Sequence, residues 1–296
     1  MRSISFEEGE RGLEWIAVTE AIAEGHKAPR AEVKDSILRR GSDTVLSRAA
    51  WIDGFGIGVK TATVFPGNGA KGLPSVGGAM TLFSDATGEP EALVDFHLVT
   101  KWKTAGDSLL AARRLARPES REVLILGAGT VAASLIEAYG AAFPGARFTL
   151  WNRSPARAEA LAESAGAEVA GELEAAVRAA DIVASATMAT EPLIKGDWLR
   201  PGQHLDLIGA YRPDMREADD TAMARGRLFV DSRETAGEIG ELIAPLASGA
   251  ISGPIADYYE AEAFRRESAD EITIFKNGGG AHLDLMVARH ILASVQ

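Results

Sequence analysis

The chain has 296 residues, 46% of them hydrophobic and 25% charged, with no cysteine and a formal net charge of −11. That length exceeds one compact core, so two domains are expected. The missing cysteine excludes disulfides, thiolate metal sites and a cysteine nucleophile, and the acidic balance argues against nucleic acid and anionic membrane surfaces as general partners.

No apolar run reaches the roughly 18–20 residues of a membrane span. The first ten residues lack the apolar core of a signal peptide, so a cytoplasmic location is expected. Leu13, Ile16, Ala17 and Ile22 share one face of a predicted helix over 13–23, and Gly25 reads as its stop. Residues 30–65 read as short strands, with β-branched runs at 43–46 and 57–65. The second run alternates and then breaks at Pro66-Gly67-Asn68-Gly69. Its part Thr61-Ala62-Thr63-Val64-Phe65 reads as an open strand edge. Strands at 78–84 and 91–96 flank Asp85-Ala86-Thr87-Gly88, a hairpin turn. Residues 104–116 are Ala-rich and helical, and Arg117-Pro118 ends them.

From Val123 the pattern alternates between strands, at 123–126, 147–151, 181–186, 204–208 and 228–231, and helices. One helix opens at Ser154-Pro155, with Ser as cap and Pro in the first turn. Such alternation predicts a parallel sheet with right-handed crossovers. A short strand at 271–275, a Gly-rich loop at 277–280 and a helix over 281–294 close the chain.

The first strand of that alternating half runs into Gly127-Ala128-Gly129-Thr130-Val131-Ala132, which fits G-x-G-x-x-G/A, and Val131, Leu135, Ile136 and Tyr139 follow at helical spacing. A strand turning into a helix through this spacing predicts a dinucleotide site, with a plain βα turn as the alternative. Gly127 permits the tight turn, Gly129 lets backbone approach a pyrophosphate, and Ala132 lets the helix pack close. The N–H groups at the helix start, around Thr130 and Val131, face the phosphates. The second strand ends at Asn152-Arg153-Ser154, without the acidic residue that accepts from a ribose 2′-OH. Asn152 is neutral, Arg153 can pair with a 2′-phosphate and Ser154 can donate to it, so NADPH is expected, with NADH possible. The plainer alternative makes Arg153 a solvated loop charge. Ala186, Thr187 and Met188 close another strand at the carboxyl edge, where a nicotinamide would lie.

The fold class expected is therefore α/β: a Rossmann dinucleotide-binding domain over 113–270 and a smaller α+β domain for substrate binding and dimerisation over 1–112 and 271–296. Lys60 stands in an apolar, β-branched run, where a lysine is costly without an anionic partner. It is either an edge-strand lysine reaching water or a cation for a substrate carboxylate. On pattern alone Lys101 and Lys103 read as surface residues, as do Glu238 and Glu241 on a predicted helix. The five histidines show no metal-ligand spacing, so no metal site is expected, and His204 reads as structural.

These stretches, in this order, resemble the ornithine cyclodeaminase/mu-crystallin family. Its active-site lysine in a G-x-K strand is matched by Lys60, its F-P-x-N turn by Phe65 to Asn68, and its L-P-T turn by Leu73-Pro74-Ser75. Its T-x-x-R-T-A segment appears as Thr100 to Ala105, its G-A-G fingerprint at Gly127 to Gly129 and its G-x-H strand at Gly202-Gln203-His204. Its C-terminal segment appears as Phe275 to Asp284. Pro29-Arg30 matches a P-R pair whose arginine binds the substrate carboxylate. Two departures matter. Lys103 replaces the arginine after T-x-x, keeping charge but losing the bidentate fork. Tyr211, in Gly209-Ala210-Tyr211-Arg212-Pro213, replaces the catalytic aspartate of the cyclodeaminases, for which a neutral phenol is a poor substitute.

The resemblance implies the reductase branch: NADPH-dependent reduction of a small cyclic α-imino acid, Δ1-pyrroline-2-carboxylate or Δ1-piperideine-2-carboxylate, to proline or pipecolate. Lys60, Lys103 and Arg30 would hold the carboxylate, Ser75 would serve the nitrogen, Tyr211 would line the substrate pocket, and Thr104 and Gly209 would lie beside the cofactor. It also implies a homodimer formed through the first domain. An alanine dehydrogenase-like enzyme, an iminosuccinate reductase, an ornithine cyclodeaminase and a non-catalytic NADPH-binding protein stand as alternatives.

Overall fold

The computed structural model describes residues 1–295, apart from the side chain of Ala236. The chain divides into two compact units: Met1–Lys103 with the C-terminal residues from Gly279, and Thr104–Gly278. The expected boundaries, 112/113 and 270/271, shift to 103/104 and 278/279.

Unit 1 holds a six-stranded sheet of β1 (Arg2–Ile4), β2 (Glu32–Arg40), β3 (Asp43–Ile52), β4 (Gly56–Val64), β5 (Val76–Phe83) and β6 (Pro90–Asp95). The order is β1-β6-β5-β4-β3-β2, antiparallel throughout except that β1 runs parallel to β6. Helices α1 (Phe6–Glu10) and α2 (Trp15–Gly25) lie between β1 and β2 in the chain. The strands over 30–65 are long rather than short. β4 is paired on both sides, so Thr61–Val64 is not an open edge; the edges are β1 and β2, and β2 is exposed along its whole length. The reason is register: β-branched alternation predicts a strand but says nothing of how many neighbours it has.

Helix α3 (Phe96–Leu115) starts eight residues before its Ala-rich part, because the Asp95 carboxylate accepts from the Leu98 N–H (2.8 Å) and caps it. In unit 2 all eight strands are parallel: β7 (Glu122–Leu126), β8 (Arg147–Trp151), β9 (Glu168–Val169), β10 (Ile182–Ser185), β11 (His204–Leu207), β12 (Arg227–Val230), β13 (Ala256–Asp257) and β14 (Thr273–Lys276). Their order is β13-β12-β14-β11-β10-β7-β8-β9. Helices α4 (Thr130–Ala142), α5 (Pro155–Ala165), α6 (Leu173–Ala179), α7 (Asp220–Arg225) and α8 (Gly240–Ser248) connect them. The expectation that placed 271–275 with the smaller domain is corrected: β14 lies inside this sheet, between β11 and β12, with every residue buried. Four residues suffice to predict a strand, but its sheet is chosen by its partners. Ser154 occupies the N-cap of α5, yet its side chain makes no capping hydrogen bond; Pro155 follows as expected.

The chain ends in α9 (Ala281–Ser294), which packs on β3, β4 and β5 and against α2 in unit 1. On β4 the residues facing this cover are Gly56, Gly58 and Lys60. The opposite sheet face carries Trp51 paired with Ile57, Ala49 with Val59, and Leu38 with Val45. That face is open and mixed: Trp51 is 51% and Leu38 68% exposed, and Lys34, Ser36, Ser47 and Thr61 share it. Among the described residues no helix is long and apolar enough to cross a membrane.

Candidate active site

Strand order in unit 2 reverses between β7 and β10, where an open parallel sheet leaves a crevice at its carboxyl ends. A cavity of about 550 Å³ lies there. Gly127 and Gly129 line it from the β7 turn, Asn152, Arg153 and Ser154 from the β8 turn, and Ala186, Thr187 and Met188 from the end of β10. Three short turns thus bring most of the expected cofactor residues to one place.

Gly127 takes φ +113°, and its N–H donates to the Trp151 carbonyl (2.9 Å). A Cβ on it would come within 2.7 Å of the Ala186 carbonyl oxygen, so the glycine lets two strand ends meet. Gly129 caps α4, and a Cβ there would meet nothing within 4 Å. No protein atom explains that glycine. Open space before unsatisfied helix N–H groups fits a pyrophosphate.

Asn152 Nδ2 donates to the Ser154 carbonyl (2.9 Å) and so holds the turn that presents Arg153. Arg157, in the first turn of α5, also lines the cavity and was not anticipated. Arg153 precedes the N-cap Ser154, so helical spacing did not point from it to Arg157. Arg153 and Arg157 are exposed, and neither guanidinium has a hydrogen bond or ion pair among the described residues. Thr130 and Val131 begin α4 without lining the cavity. Thr104 and Gly209 do not line it either: the Thr104 carbonyl accepts from Asn277 Nδ2 (3.0 Å), and the Gly209 N–H donates to Glu217 (2.6 Å). Tyr211 is 56% exposed in the loop after β11, beside the Arg212 guanidinium.

The surface reading of Glu241 is corrected: it is fully buried, while Glu238 is exposed. Burial and the neighbouring Glu217 push the Glu241 carboxyl up to about 7, against Lys276 and two backbone N–H donors. His204 is buried, with Nδ1 2.9 Å from Thr273 Oγ1, and burial brings it down to about 3, so it is neutral and structural.

In unit 1 Lys60 is only 7% exposed. Its Nζ donates to Asp284 Oδ1 (2.9 Å) and Thr100 Oγ1 (2.8 Å) and lies 4.7 Å from the centre of the Phe96 ring. The alternative of an edge lysine reaching water does not hold, because β4 is interior. Burial lowers the Lys60 ammonium, with Lys103 and Arg48 adding to the effect and Asp284 opposing it. Burial would raise Asp284, but Lys60 and Lys103 outweigh it and hold the carboxyl below its ordinary range. Asp284 closes the C-terminal segment that carried the resemblance, but no local pattern pointed it at Lys60.

The surface reading of Lys103 is also corrected. It is 7% exposed, and its ammonium has no hydrogen bond or ion pair among the described residues. Lys101, half-buried, pairs with Glu10 (2.7 Å). Arg48, another residue the sequence reading missed, holds Asp35 (3.0 Å) and the Gly279 carbonyl (2.8 Å). Three cations against two carboxylates leave this cluster one positive charge, which suits a small organic anion. The hydrogen-bonded group of Lys60, Thr100 and Asp284 includes neither Arg30 nor Ser75. Arg30 is exposed before β2, and Ser75 is half-buried in a loop that Asn68 closes by donating to the Pro74 carbonyl (2.9 Å).

Comparison with known proteins gives these residues a family. The profile of the ornithine cyclodeaminase/mu-crystallin family matches residues 29–296. A Δ1-pyrroline-2-carboxylate reductase of Paracoccus denitrificans is 53% identical over 300 aligned positions, covering 97% of this chain and 95% of that protein. Among solved structures, the Δ1-pyrroline-2-carboxylate reductase of Thermococcus litoralis, in complex with NADH and L-proline, superposes with a TM-score of 0.89 at 28% identity. That match covers 99% of this chain and 97% of the other. An archaeal alanine dehydrogenase dimer with bound NAD has a TM-score of 0.88 at 27% identity, over 99% and 95% of the two chains. With a matching profile over nine-tenths of its length and a near-full-length relative at this identity, the chain belongs to the ornithine cyclodeaminase/mu-crystallin family.

Proposed function

We infer that this protein is an NAD(P)H-dependent reductase that converts a small cyclic α-imino acid, Δ1-pyrroline-2-carboxylate or Δ1-piperideine-2-carboxylate, to proline or pipecolate, with NADPH as preferred cofactor. The observation that carries the reading is the 53% identity, over 97% of the chain, to a reductase of that kind. The geometry supports it. Gly127, Gly129 and the start of α4 hold the pyrophosphate, Thr187 and Met188 flank the nicotinamide, and the cofactor when bound supplies the hydride. Arg153 and Arg157 pair with the 2′-phosphate, a reading supported by their exposed guanidiniums at the cavity, which have no partner among the described residues. Lys103 takes the substrate carboxylate. Lys60, fixed by Asp284 and Thr100, provides the second positive charge that orients it, and orientation is the main service a protein gives when a cofactor carries the chemistry. Arg30 and Ser75 complete the substrate contacts. Tyr211 leaves the loop after β11 without the carboxylate that ring-forming deamination uses.

The protein acts as a homodimer related by a two-fold axis through unit 1, whose open sheet face exposes the large apolar side chains of Trp51 and Leu38. An equilibrium mass of one chain at micromolar concentration would exclude this. The activity test is NADPH oxidation with each cyclic imine, beside pyruvate with ammonia, and an ammonia assay with ornithine. Oxidation with the cyclic imines is expected. Turnover only with pyruvate and ammonia would move the chain to the alanine dehydrogenases, and ammonia from ornithine without imine reduction to the cyclodeaminases.

A further inference from the structure

We propose that Glu217 is a positioning residue for the nicotinamide end of the cofactor, its one carboxylate locking the ends of β10 and β11 in a single arrangement; this rests on the dinucleotide reading above. Glu217 is fully buried. Its Oε1 accepts from Ser185 Oγ (2.6 Å), the Thr187 N–H (2.9 Å) and Thr187 Oγ1 (2.8 Å). Its Oε2 accepts from the Gly209 N–H (2.6 Å) and the Ala210 N–H (3.2 Å). A carboxylate offers about four lone-pair sites. Five donors take up these sites, so Glu217 acts through the groups it holds.

Those groups come from two neighbouring strand ends. Ser185 and Thr187 end β10, and Gly209 and Ala210 follow β11. Gly209 records how closely they meet: a Cβ on it would lie 1.9 Å from the Thr187 carbonyl oxygen and 2.7 Å from Glu217 Oε1. Thr187 lines the cofactor cavity, so what Glu217 fixes is part of the cavity wall. Glu217 is itself held. Its N–H donates to Glu241 Oε2 (2.6 Å) and that of Ala218 to Glu241 Oε1 (3.0 Å), while its carbonyl accepts from the Leu193 and Ile194 N–H groups (2.9 Å each). Lys276, fully buried and donating to the Leu207 carbonyl (2.8 Å), supplies positive charge to both carboxylates. Glutamine keeps the size of this side chain but points an NH₂ at N–H donors, so one strand end must let go.

The test compares wild type with Glu217→Gln in three measurements: the Kd of NADPH, the Kd of 2′-phospho-ADP-ribose, which is NADPH without its nicotinamide, and kcat with Δ1-pyrroline-2-carboxylate. Positioning requires NADPH to weaken by about tenfold or more and kcat to fall similarly. The fragment should hold its affinity within about twofold, because its contacts lie elsewhere in the cavity. Ser185→Ala, which removes one donor of the five at a buried residue that does not line the cavity, should show the same pattern at about threefold, and it decides the matter if Glu217→Gln does not fold. Equal weakening of NADPH and fragment, or an unchanged NADPH affinity and kcat, overturns the proposal. A wild-type protein that binds neither molecule overturns the dinucleotide reading and this one with it. Wild type that binds NADPH but leaves the imine untouched overturns the substrate reading alone, since the two affinities still judge Glu217.

Discussion

Unit 1 and unit 2 each gather basic side chains, and they do so by opposite means. In unit 1 Lys60 is buried and neutralised by Asp284, 224 residues away in the chain, and Lys103 is buried beside them and acts on the same carboxylate. In unit 2 Arg153 and Arg157 lie exposed, four residues apart, at a cavity lined by the turns after β7, β8 and β10. A buried charge needs a built counter-charge, and breaking the pair leaves the survivor stranded in low dielectric. An exposed guanidinium keeps its water until a phosphate displaces it, so its loss weakens binding without weakening the fold. The difference separates a site that is part of the core from one that is laid on the surface.

The strongest way to break this comparison is Lys60→Ala. It strands Asp284, so we expect a stability loss of about 3–5 kcal/mol by denaturant titration, together with loss of imine reduction and near-normal NADPH affinity. Lys60→Met with Asp284→Leu should recover most of the stability and none of the activity. A stable, active Lys60→Ala protein would mean the pair matters to neither. Lys103→Ala is expected to cost about 2–4 kcal/mol in kcat/KM but to leave the melting temperature near wild type, because Asp284 keeps its hydrogen-bonded pair with Lys60; Lys103→Arg should restore part of the activity. A large drop in melting temperature for Lys103→Ala would place this lysine with the structural pair.

In unit 2, Arg153→Ala should weaken NADPH by about 1.5–3 kcal/mol while barely affecting NADH, and the difference should shrink at high salt, as exposure requires. Equal losses for both cofactors would return Arg153 to a solvated loop charge. The smallest effect is a slope. Glu241 holds its proton up to about 7 in the folded chain and releases it near the ordinary carboxyl value of 4.5 when unfolded. Its contribution is therefore full below about 4.5 and lost as pH rises towards 7. Glu241→Gln should flatten the decline in stability across that window, and an unchanged slope would show that the decline has another source.

Some of this architecture is written locally. The turn from Val123 to Ala132, the Ser154-Pro155 helix start and the strand ends at Asn152 and Met188 are each set by backbone geometry over a few residues. The cavity in unit 2 is their sum, and right-handed parallel crossovers bring such turns to one edge. Helix α9 was legible for the same reason: its apolar spacing is self-contained.

Other features had no local expression. Nothing in the run around Lys60 says that β4 has a strand on each side, or that a carboxylate from the last helix reaches its amine. Lys103 and Glu241 look like solvated charges because burial depends on which segments cover them. The four residues of β14 spell a strand but not the two strands that receive it, and the domain boundary moved with that strand. Short-range sterics and spacing determine turns, caps and helices, and these the amino-acid order carries by itself. Burial, counter-charges and sheet membership arise from contacts between distant segments, and only the tertiary structure decides those.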